Sequence, residues 1–298
     1  MRNALATLCL ILSGALAIGS LGAHQIDQLL RDDEPLQEIA GDLPGDEEFG
    51  EAVTQIMVSE LSDQLPEQAR SFIGGGAEGF ISDAVKDLLD DQRMHQAWGE
   101  TLQTTRADYV ERLERLFEQG SSGDAAELDI HVDMQPLAGA AISSIVDRIP
   151  LIDADSFDIP APQLEVDVAA AATDADVDPY TWATVAVVSQ HWLWIGVASG
   201  VMALLGLALG QGRGRGVALA LGGMAAALGG LWVALNVAAP DFDMPEGLPQ
   251  ENAAILDFVQ TQFTDWAQPA WWFFVAGGAG VVVLGMLGAL VARPVQRR

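Results

Sequence analysis

All 42 acidic residues of the chain lie in two stretches, 24–191 and 239–269, and four apolar runs separate or flank these stretches. Each run is close to the ~20 residues that a helix needs to cross the ~30 Å hydrocarbon core of a bilayer. The sequence therefore predicts an α-helical membrane protein with four transmembrane helices. The predicted spans are residues 4–23 and about 192–210, 216–237 and 271–292.

The basic residues outside the acidic stretches predict the orientation of these spans. Short arginine-bearing ends and loops stay in the cytoplasm, and six arginines lie in the acid-free segments: Arg2, Arg213, Arg215, Arg293, Arg297 and Arg298. We therefore expect a multi-pass protein of the plasma membrane with both termini cytoplasmic and both acidic stretches outside. Six tryptophans lie at the predicted outer ends, where indole rings favour the headgroup region: Trp192, Trp194, Trp232, Trp266, Trp271 and Trp272.

The first span, within residues 1–23, has two interpretations. Arg2, the apolar run and the small residues near Ala23 fit part of a cleaved signal peptide. Leu21 departs from the small residue expected three positions before such a cleavage site, and the run is long for a signal core. We favour an uncleaved N-terminal transmembrane anchor, and cleavage stays the alternative.

The other three spans contain no Asp, Glu, Lys, Arg or His. Transporters and channels use such groups at membrane depth, so their lack weighs against both classes. Small residues recur at four-residue spacing along the spans, for example Gly196 with Gly200 and Gly222 with Ala226. Backbones approach closely over such faces, which predicts helix packing or contact with a partner membrane protein or a second copy. The alternative is that membrane helices are rich in glycine and alanine without a dedicated contact face.

Residues 24–178 have the length of one domain and contain no cysteine. Apolar spacing predicts helices over about 49–65, 66–89 and 92–119, and alternation predicts strands near 128–134 and 164–168 with a short helix, about 136–147, between them. We therefore expect an acidic extracytoplasmic domain that is mainly helical, of α+β class, with a small β-α-β unit.

Residues 179–298 are predicted to form a three-helix membrane domain with an outer acidic loop over 239–269. Asp178 followed by Pro179 is typical of a helix start. We expect that helix to run without a break into the span at 192–210, which would couple the exported domain rigidly to the membrane.

Motifs that would indicate chemistry are weak. Residues 74–79 spell G-x-G-x-x-G, but a predicted helix precedes them, so we interpret them as a helix break and not as a dinucleotide site. Asp174, Asp176 and Asp178 begin like a calcium loop, yet Pro179 and Val185 replace its required glycine and glutamate. The four histidines are scattered without ligand spacing. We therefore predict no catalytic, cofactor-binding or metal-binding residue and no cofactor.

One group of proteins has a similar order of parts. The features that carry the resemblance are Trp98 with Tyr109, Val110 and Leu113 on one long helix, then Leu128-Asp129-Ile130 before Pro136-Leu137, and later Leu164-Glu165-Val166. In these the chain resembles uncharacterised actinobacterial multi-pass integral membrane proteins with a large exported N-terminal domain. That group has no established activity, so the resemblance implies architecture only.

These observations favour a non-enzymatic membrane protein of the cell envelope that acts as scaffold, accessory subunit or sensor through its exported domain. We expect the lipid bilayer, and a partner membrane protein or a second copy, as its partners. Nucleic acid is excluded because phosphate contacts need a basic surface, whereas the net charge is −28. Two alternatives stay open: a component of a transport or export system, and an extracytoplasmic hydrolase that uses carboxylates.

Overall fold

A computed structural model of the chain describes residues 2–46, 49–50, 54, 79, 83, 89, 91–120, 130–133, 135–146, 163–166, 178–240 and 250–291. Most of these residues are helical. The helices are α1 (Arg2–Arg31), α2 (Asp33–Ala40), α3 (Gln92–Gln119), α4 (Gln135–Val146), α5 (Pro179–Ser189), α6 (Trp192–Leu209), α7 (Gly212–Asn236) and α8 (Gln250–Val291). A 3₁₀ helix over Leu43–Gly45 and two strands, β1 (Ile130–Asp133) and β2 (Gln163–Val166), complete the described elements.

The chain divides into two compact units. The apolar unit contains Met1–Leu29, Thr184–Asp243 and Gln260–Arg298. The acidic unit contains Leu30–Ala183 and Met244–Val259, and it holds all but four of the 42 acidic residues. The boundaries predicted from the sequence, at residues 23 and 178, stay predictions.

Four helices are long and apolar enough to cross a membrane: α1, α6, α7 and the Phe258–Val291 part of α8. By length and composition, the predicted number and positions of the spans are confirmed. The presence of four such helices supports a membrane protein. Helix α8 begins at Gln250, well before the predicted span, so the second part of the predicted outer loop 239–269 is helical.

The predicted unbroken helix from Asp178 into the second span is wrong. Asp178 does cap a helix, because its carboxylate accepts hydrogen bonds from the backbone N–H and the hydroxyl of Thr181. That helix, α5, ends at Ser189, whose buried hydroxyl donates to the carbonyl of Ala186 at 2.7 Å. Serine hydroxyls compete in this way with the helical backbone pattern. Helix α6 starts anew after His191.

Helix α3 confirms the predicted helix over residues 92–119. Asp91 caps its first turn by accepting a hydrogen bond from the backbone N–H of Arg93 at 3.0 Å. This bond, followed by the bond from the Arg93 side chain, lowers the pKa of Asp91. The helix ends at Gln119, and the next residue, Gly120, has a φ of +76°, a backbone conformation that glycine adopts readily.

The predicted β-α-β unit is wrong, and an α+β class is not supported. Strands β1 and β2 pair antiparallel, with Ile130 opposite Val166 and Asp133 opposite Gln163. A β-α-β unit requires parallel strands. The two strands are four residues each, whereas helices form most of the described acidic unit. Alternation in the sequence indicated the strands but not their relative direction.

Two predicted helices and one motif lie outside the described residues. These are the helices predicted over 49–65 and 66–89, except for isolated helical positions such as Phe49 and Thr54, and most of the glycine motif at 74–79. Of the predicted calcium-like triplet, Asp178 alone is described.

Candidate functional site

The apolar unit packs α1 against α6 and α7 through glycines. A Cβ atom at Gly206 would lie 2.6 Å from Leu10 Cγ, and one at Gly222 would lie 2.7 Å from Leu10 Cβ. Leu10 itself is buried, together with Ala6 and Ala218. Gly206 of α6 and Gly222 of α7 have no side chain, and Leu10 of α1 therefore packs directly against both helices.

Helices α7 and α8 approach even more closely. A Cβ atom at Gly285 would lie 2.5 Å from the backbone nitrogen of Ala220 and 2.7 Å from the carbonyl oxygen of Gly216. Glycines 277 and 280 of the same helix have open space within 4 Å of where a Cβ would stand. Small residues thus serve packing within the chain at some positions, whereas other glycines lie on an open face.

The two ends of the apolar unit differ in chemistry. At one end, the side chain of Asn3 accepts a hydrogen bond from the backbone N–H of Gln211 at 3.1 Å, in the turn that precedes Arg213 and Arg215. At the other end, Gln25 donates to the carbonyl of Ala267 at 2.9 Å and accepts from the indole N–H of Trp271 at 2.7 Å. Arginines therefore collect at the first end and a tryptophan-rich cluster at the second.

The acidic unit contains a groove of about 850 Å³. Helix α2 and the turn after it line one part of the groove, the first half of α3 lines another, and Pro136 at the start of α4 completes the lining. We call it the α2–α3 groove. Its lining residues are Gln37, Gly41, Asp42, Gln92, His95, Gln96, Gly99, Glu100, Gln103, Thr104 and Pro136.

Two contacts hold α2 on α3 and so fix the shape of the groove. At the C-terminal end of α2, the indole N–H of Trp98 donates to the carbonyl of Ala40 at 2.6 Å. Helix ends leave such carbonyls without a partner in the helix, and Trp98 is only 7% exposed. At the N-terminal end, Arg106 forms an ion pair with Asp33. The Nη1 atom of Arg106 is buried and has no hydrogen-bond partner within the described part of the chain.

Amide side chains dominate the polar lining of the groove. Gln103 donates from Nε2 to the carbonyl of Asp33 at 3.3 Å, while its Oε1 atom is buried and lacks a partner in the described structure. Asp42 and Glu100 add two carboxylates, and none of the described lining residues is a lysine or arginine. The groove therefore offers hydrogen-bond acceptors and negative charge together.

Comparison with protein-family models, curated proteins and solved structures gives no match for this chain. A functional assignment therefore rests on the geometry of the chain's own residues.

The sequence predicts no site residue, and the histidines and Asp178 lie in different surroundings in the structure. His95 lines the α2–α3 groove. The ring of His24 lies 4.3 Å from that of Trp192 between centroids, and His191 is exposed beside the start of α6. Asp178 acts as a helix cap. Among the residues that the structure describes, no cluster of three metal-ligating side chains occurs.

The groove was not predicted from the sequence, because the apolar spacing of α3 indicates its buried face and not its polar one. Gln92, Gln96, Gly99 and Gln103 recur at three- and four-residue spacing and so share one side of the helix. The sequence shows this row of amides, but the opposing wall comes from Gln37 and Asp42, which are at least fifty residues away in sequence. Only tertiary packing brings these two parts together.

A tyrosine of α3 contacts α5 within the acidic unit. The indole N–H of Trp182 donates to Tyr109 Oη at 3.0 Å, and Phe117 stacks on Tyr180 at 6.1 Å between ring centroids. Burial raises the pKa of Tyr109, and the hydrogen bond from Trp182 offsets part of that rise.

The raised pKa of Tyr109 predicts an alkaline loss of stability. The unfolded chain releases the phenol proton near pH ~10, whereas the folded chain keeps it to higher pH. The stabilisation is therefore complete below pH ~10 and is lost as the pH rises from there through the folded-state pKa. We expect Tyr109→Phe to flatten the fall in unfolding free energy above pH ~10. Urea unfolding across this pH range measures it.

The control for this prediction is Tyr180→Phe, which changes the chain's other tyrosine. This variant should keep the wild-type alkaline decline. Equal curves for wild type and Tyr109→Phe would show that Tyr109 does not cause the decline.

Proposed function

We propose that the chain is an integral membrane protein of the cell envelope that binds a partner through the α2–α3 groove of its acidic unit. It acts as scaffold, accessory subunit or sensor, with the acidic unit outside the plasma membrane. The groove carries this proposal, because a cleft of about 850 Å³ with polar walls lies within the size range of ligand-binding sites.

The distribution of charge and tryptophan in the apolar unit supports the orientation. Asn3, next to Arg2, contacts the turn that precedes Arg213 and Arg215, so basic residues of two segments share one end. Gln25 contacts Trp271 at the opposite end. Arginines favour the cytoplasmic side and tryptophans favour the headgroup region. We therefore expect a reporter fused after Arg298 to be cytoplasmic, and external protease to cut within residues 30–183. The opposite accessibility would reject this orientation.

The packing of α1 supports its retention as a transmembrane helix. Leu10 fills space over Gly206 and Gly222, and the side chain of Ser20 donates to the carbonyl of Trp192 at 2.8 Å. Removal of this helix would expose these glycine faces and break the contacts of Gln25 with α8. We therefore propose that α1 belongs to the working protein as an anchor.

The side chains of the groove favour binding over catalysis. Four of them are glutamine amides, at positions 37, 92, 96 and 103. An amide both donates and accepts hydrogen bonds but does not exchange a proton near neutral pH. Such walls recognise a polar surface by its pattern of donors and acceptors.

Photocrosslinking in native membranes tests the proposal. A photoreactive amino acid at Gln96, an exposed residue of the groove lining, should give a discrete adduct because a bound partner would lie against it. The adduct is detected by gel shift and identified by mass spectrometry.

The matched control carries the same photoreactive residue at Glu114. This position is also exposed on α3, but it lies about 27 Å further along the helix at 1.5 Å per residue. We expect the adduct at position 96 to exceed that at position 114 severalfold. Equal yields at the two positions, or no adduct at either one, would reject recognition through the groove.

A further inference from the structure

Helix α5 buries small side chains and exposes large apolar ones. The buried residues are Ala183, Ala186 and Ser189. The exposed apolar residues follow one another at three-residue spacing, with 41%, 36% and 45% of their surfaces accessible: Trp182, Val185 and Val188. Side chains three residues apart are neighbours on a helix surface. These three residues therefore form one exposed apolar strip, which we call the α5 strip.

Helix α6 shows the same arrangement, and helix α3 shows the reverse. Helix α6, which is long and apolar enough to cross a membrane, buries Ser199 and Gly206 and exposes large apolar residues such as Leu204. Helix α3 buries Leu113 and exposes charged residues such as Glu114. A helix in water buries its large apolar residues, whereas a helix in lipid turns them outward and uses small residues for helix contacts. The pattern of α5 is that of a helix in lipid.

The segment that contains α5 and α6 has no Asp, Glu, Lys or Arg from residue 179 to residue 212. The 18 residues of α6 extend ~27 Å at 1.5 Å per residue, close to the ~30 Å hydrocarbon core of a bilayer. Charges are therefore absent well beyond the length that α6 needs to cross. Among the three buried residues of α5, Ser189 is polar, and its hydroxyl donates to the carbonyl of Ala186. That hydroxyl therefore has a partner without water.

We propose that α5 is embedded in the bilayer interface at the end where α6 begins, with Val185 and Val188 of the α5 strip against lipid. Both valines belong to the same compact unit as α6, and two residues separate the two helices. The 11 residues of α5 extend ~16 Å, too short to cross the ~30 Å hydrocarbon core. This inference goes beyond the proposed function, because it concerns contact with lipid and not a partner in the α2–α3 groove.

Lipid fits the α5 strip better than a second copy of the chain does. Helix association within a membrane uses small residues, because they let backbones approach closely. The small residues of α5 are already buried, and the strip offers valine and tryptophan instead. Acyl chains pack against such side chains without close backbone approach, and indole rings favour the headgroup region.

Nitroxide labelling of the full chain in phosphatidylcholine nanodiscs tests the proposal. Cys9→Ala removes the one cysteine of the chain, and Val185→Cys or Val188→Cys then carries the label. Power saturation compares collisions with O₂, which concentrates in lipid, with collisions with a neutral water-soluble nickel chelate. We expect nickel access at both positions to be severalfold lower than at Glu114→Cys on α3. We expect O₂ access there to approach that at Val197→Cys, which is exposed on α6.

A charged substitution tests whether lipid holds the strip. Val188→Asp places a carboxylate where the proposal puts acyl chains, and a charge leaves water only at high cost. We therefore expect nickel access at a label on position 185 to rise severalfold in this variant. Val188→Leu keeps an apolar side chain and should leave nickel access unchanged. Because Val188 is exposed, neither substitution overpacks the interior of the chain.

The outcomes separate lipid from water and from protein. Nickel access at positions 185 and 188 equal to that at position 114 would show that the strip lies in water and would overturn the proposal. Low access to both probes would show that protein covers the strip, as in contact with a second copy, and would also overturn it. Unchanged nickel access in Val188→Asp would contradict lipid contact. Both faces of a nanodisc are open to the chelate, so the result depends neither on orientation nor on the α2–α3 groove.

Discussion

Replacement of Gly285 by leucine is expected to disrupt the packing of α7 against α8. The new Cβ atom would meet backbone atoms of Ala220 and Gly216 at 2.5 and 2.7 Å. Backbone atoms cannot rotate aside as a side-chain end can, so the two helices must separate. We expect a loss of about 3 kcal/mol or more in unfolding free energy, at the upper end for overpacked sites. Thermal unfolding in detergent, followed by size-exclusion chromatography, measures the effect.

Gly280→Leu provides the matched control on the same helix. A Cβ atom at Gly280 would have open space within 4 Å, so the same change there should leave the unfolding midpoint close to wild type. Equal destabilisation by both variants would show that helix composition, and not close approach to α7, determines the stability of this unit. A stable Gly285→Leu protein would contradict the packing itself.

Trp98→Ala is expected to destabilise the acidic unit by about 3–5 kcal/mol, the usual cost of removing a buried aromatic side chain. Trp98 is 7% exposed, packs its ring 5.0 Å from that of Phe49, and donates to the carbonyl of Ala40. The substitution leaves both a cavity and an unpaired carbonyl. Pulse proteolysis of the full chain across a urea series measures the unfolding midpoint of this unit.

Trp98→Phe separates the two contributions. Phenylalanine keeps most of the apolar volume but lacks the indole donor, so it should cost about 1–3 kcal/mol, the penalty for an unsatisfied buried acceptor. Because the indole bond joins α3 to the end of α2, both variants should also weaken binding in the α2–α3 groove. A Trp98→Ala protein with a wild-type midpoint would show that Trp98 does not hold α2 in place.

Elements that depend on local composition were predicted well. Helix α3 begins at Gln92 and ends at Gln119 as predicted, because apolar residues at helical spacing and a glycine stop act over a few residues. The four apolar helices follow from segment length and hydropathy alone. These features need no knowledge of what a segment packs against.

Elements that depend on distant contacts were predicted poorly. The sequence indicated strands near Ile130 and Val166 but not that they run antiparallel. Their direction depends on the path of the chain between them. The break after Ser189 was missed because no proline or glycine follows it before the second span, whereas the Ser189 hydroxyl bonds back to its own helix. The early start of α8 at Gln250 was hidden by the acidic residues before its apolar part.

Sequence composition is sufficient to predict four apolar helices and to show that the acid-free segments hold only six arginines as charged residues, because transfer of apolar and charged groups between water and lipid depends on composition. Tertiary structure alone decided which glycines serve packing: Gly285 lies against the backbone of α7, whereas Gly280, five residues earlier, faces open space. It also decided that Gln37 and Asp42 oppose the glutamines of α3. Both outcomes depend on which surfaces meet, and that is a property of the packed chain and not of any one segment.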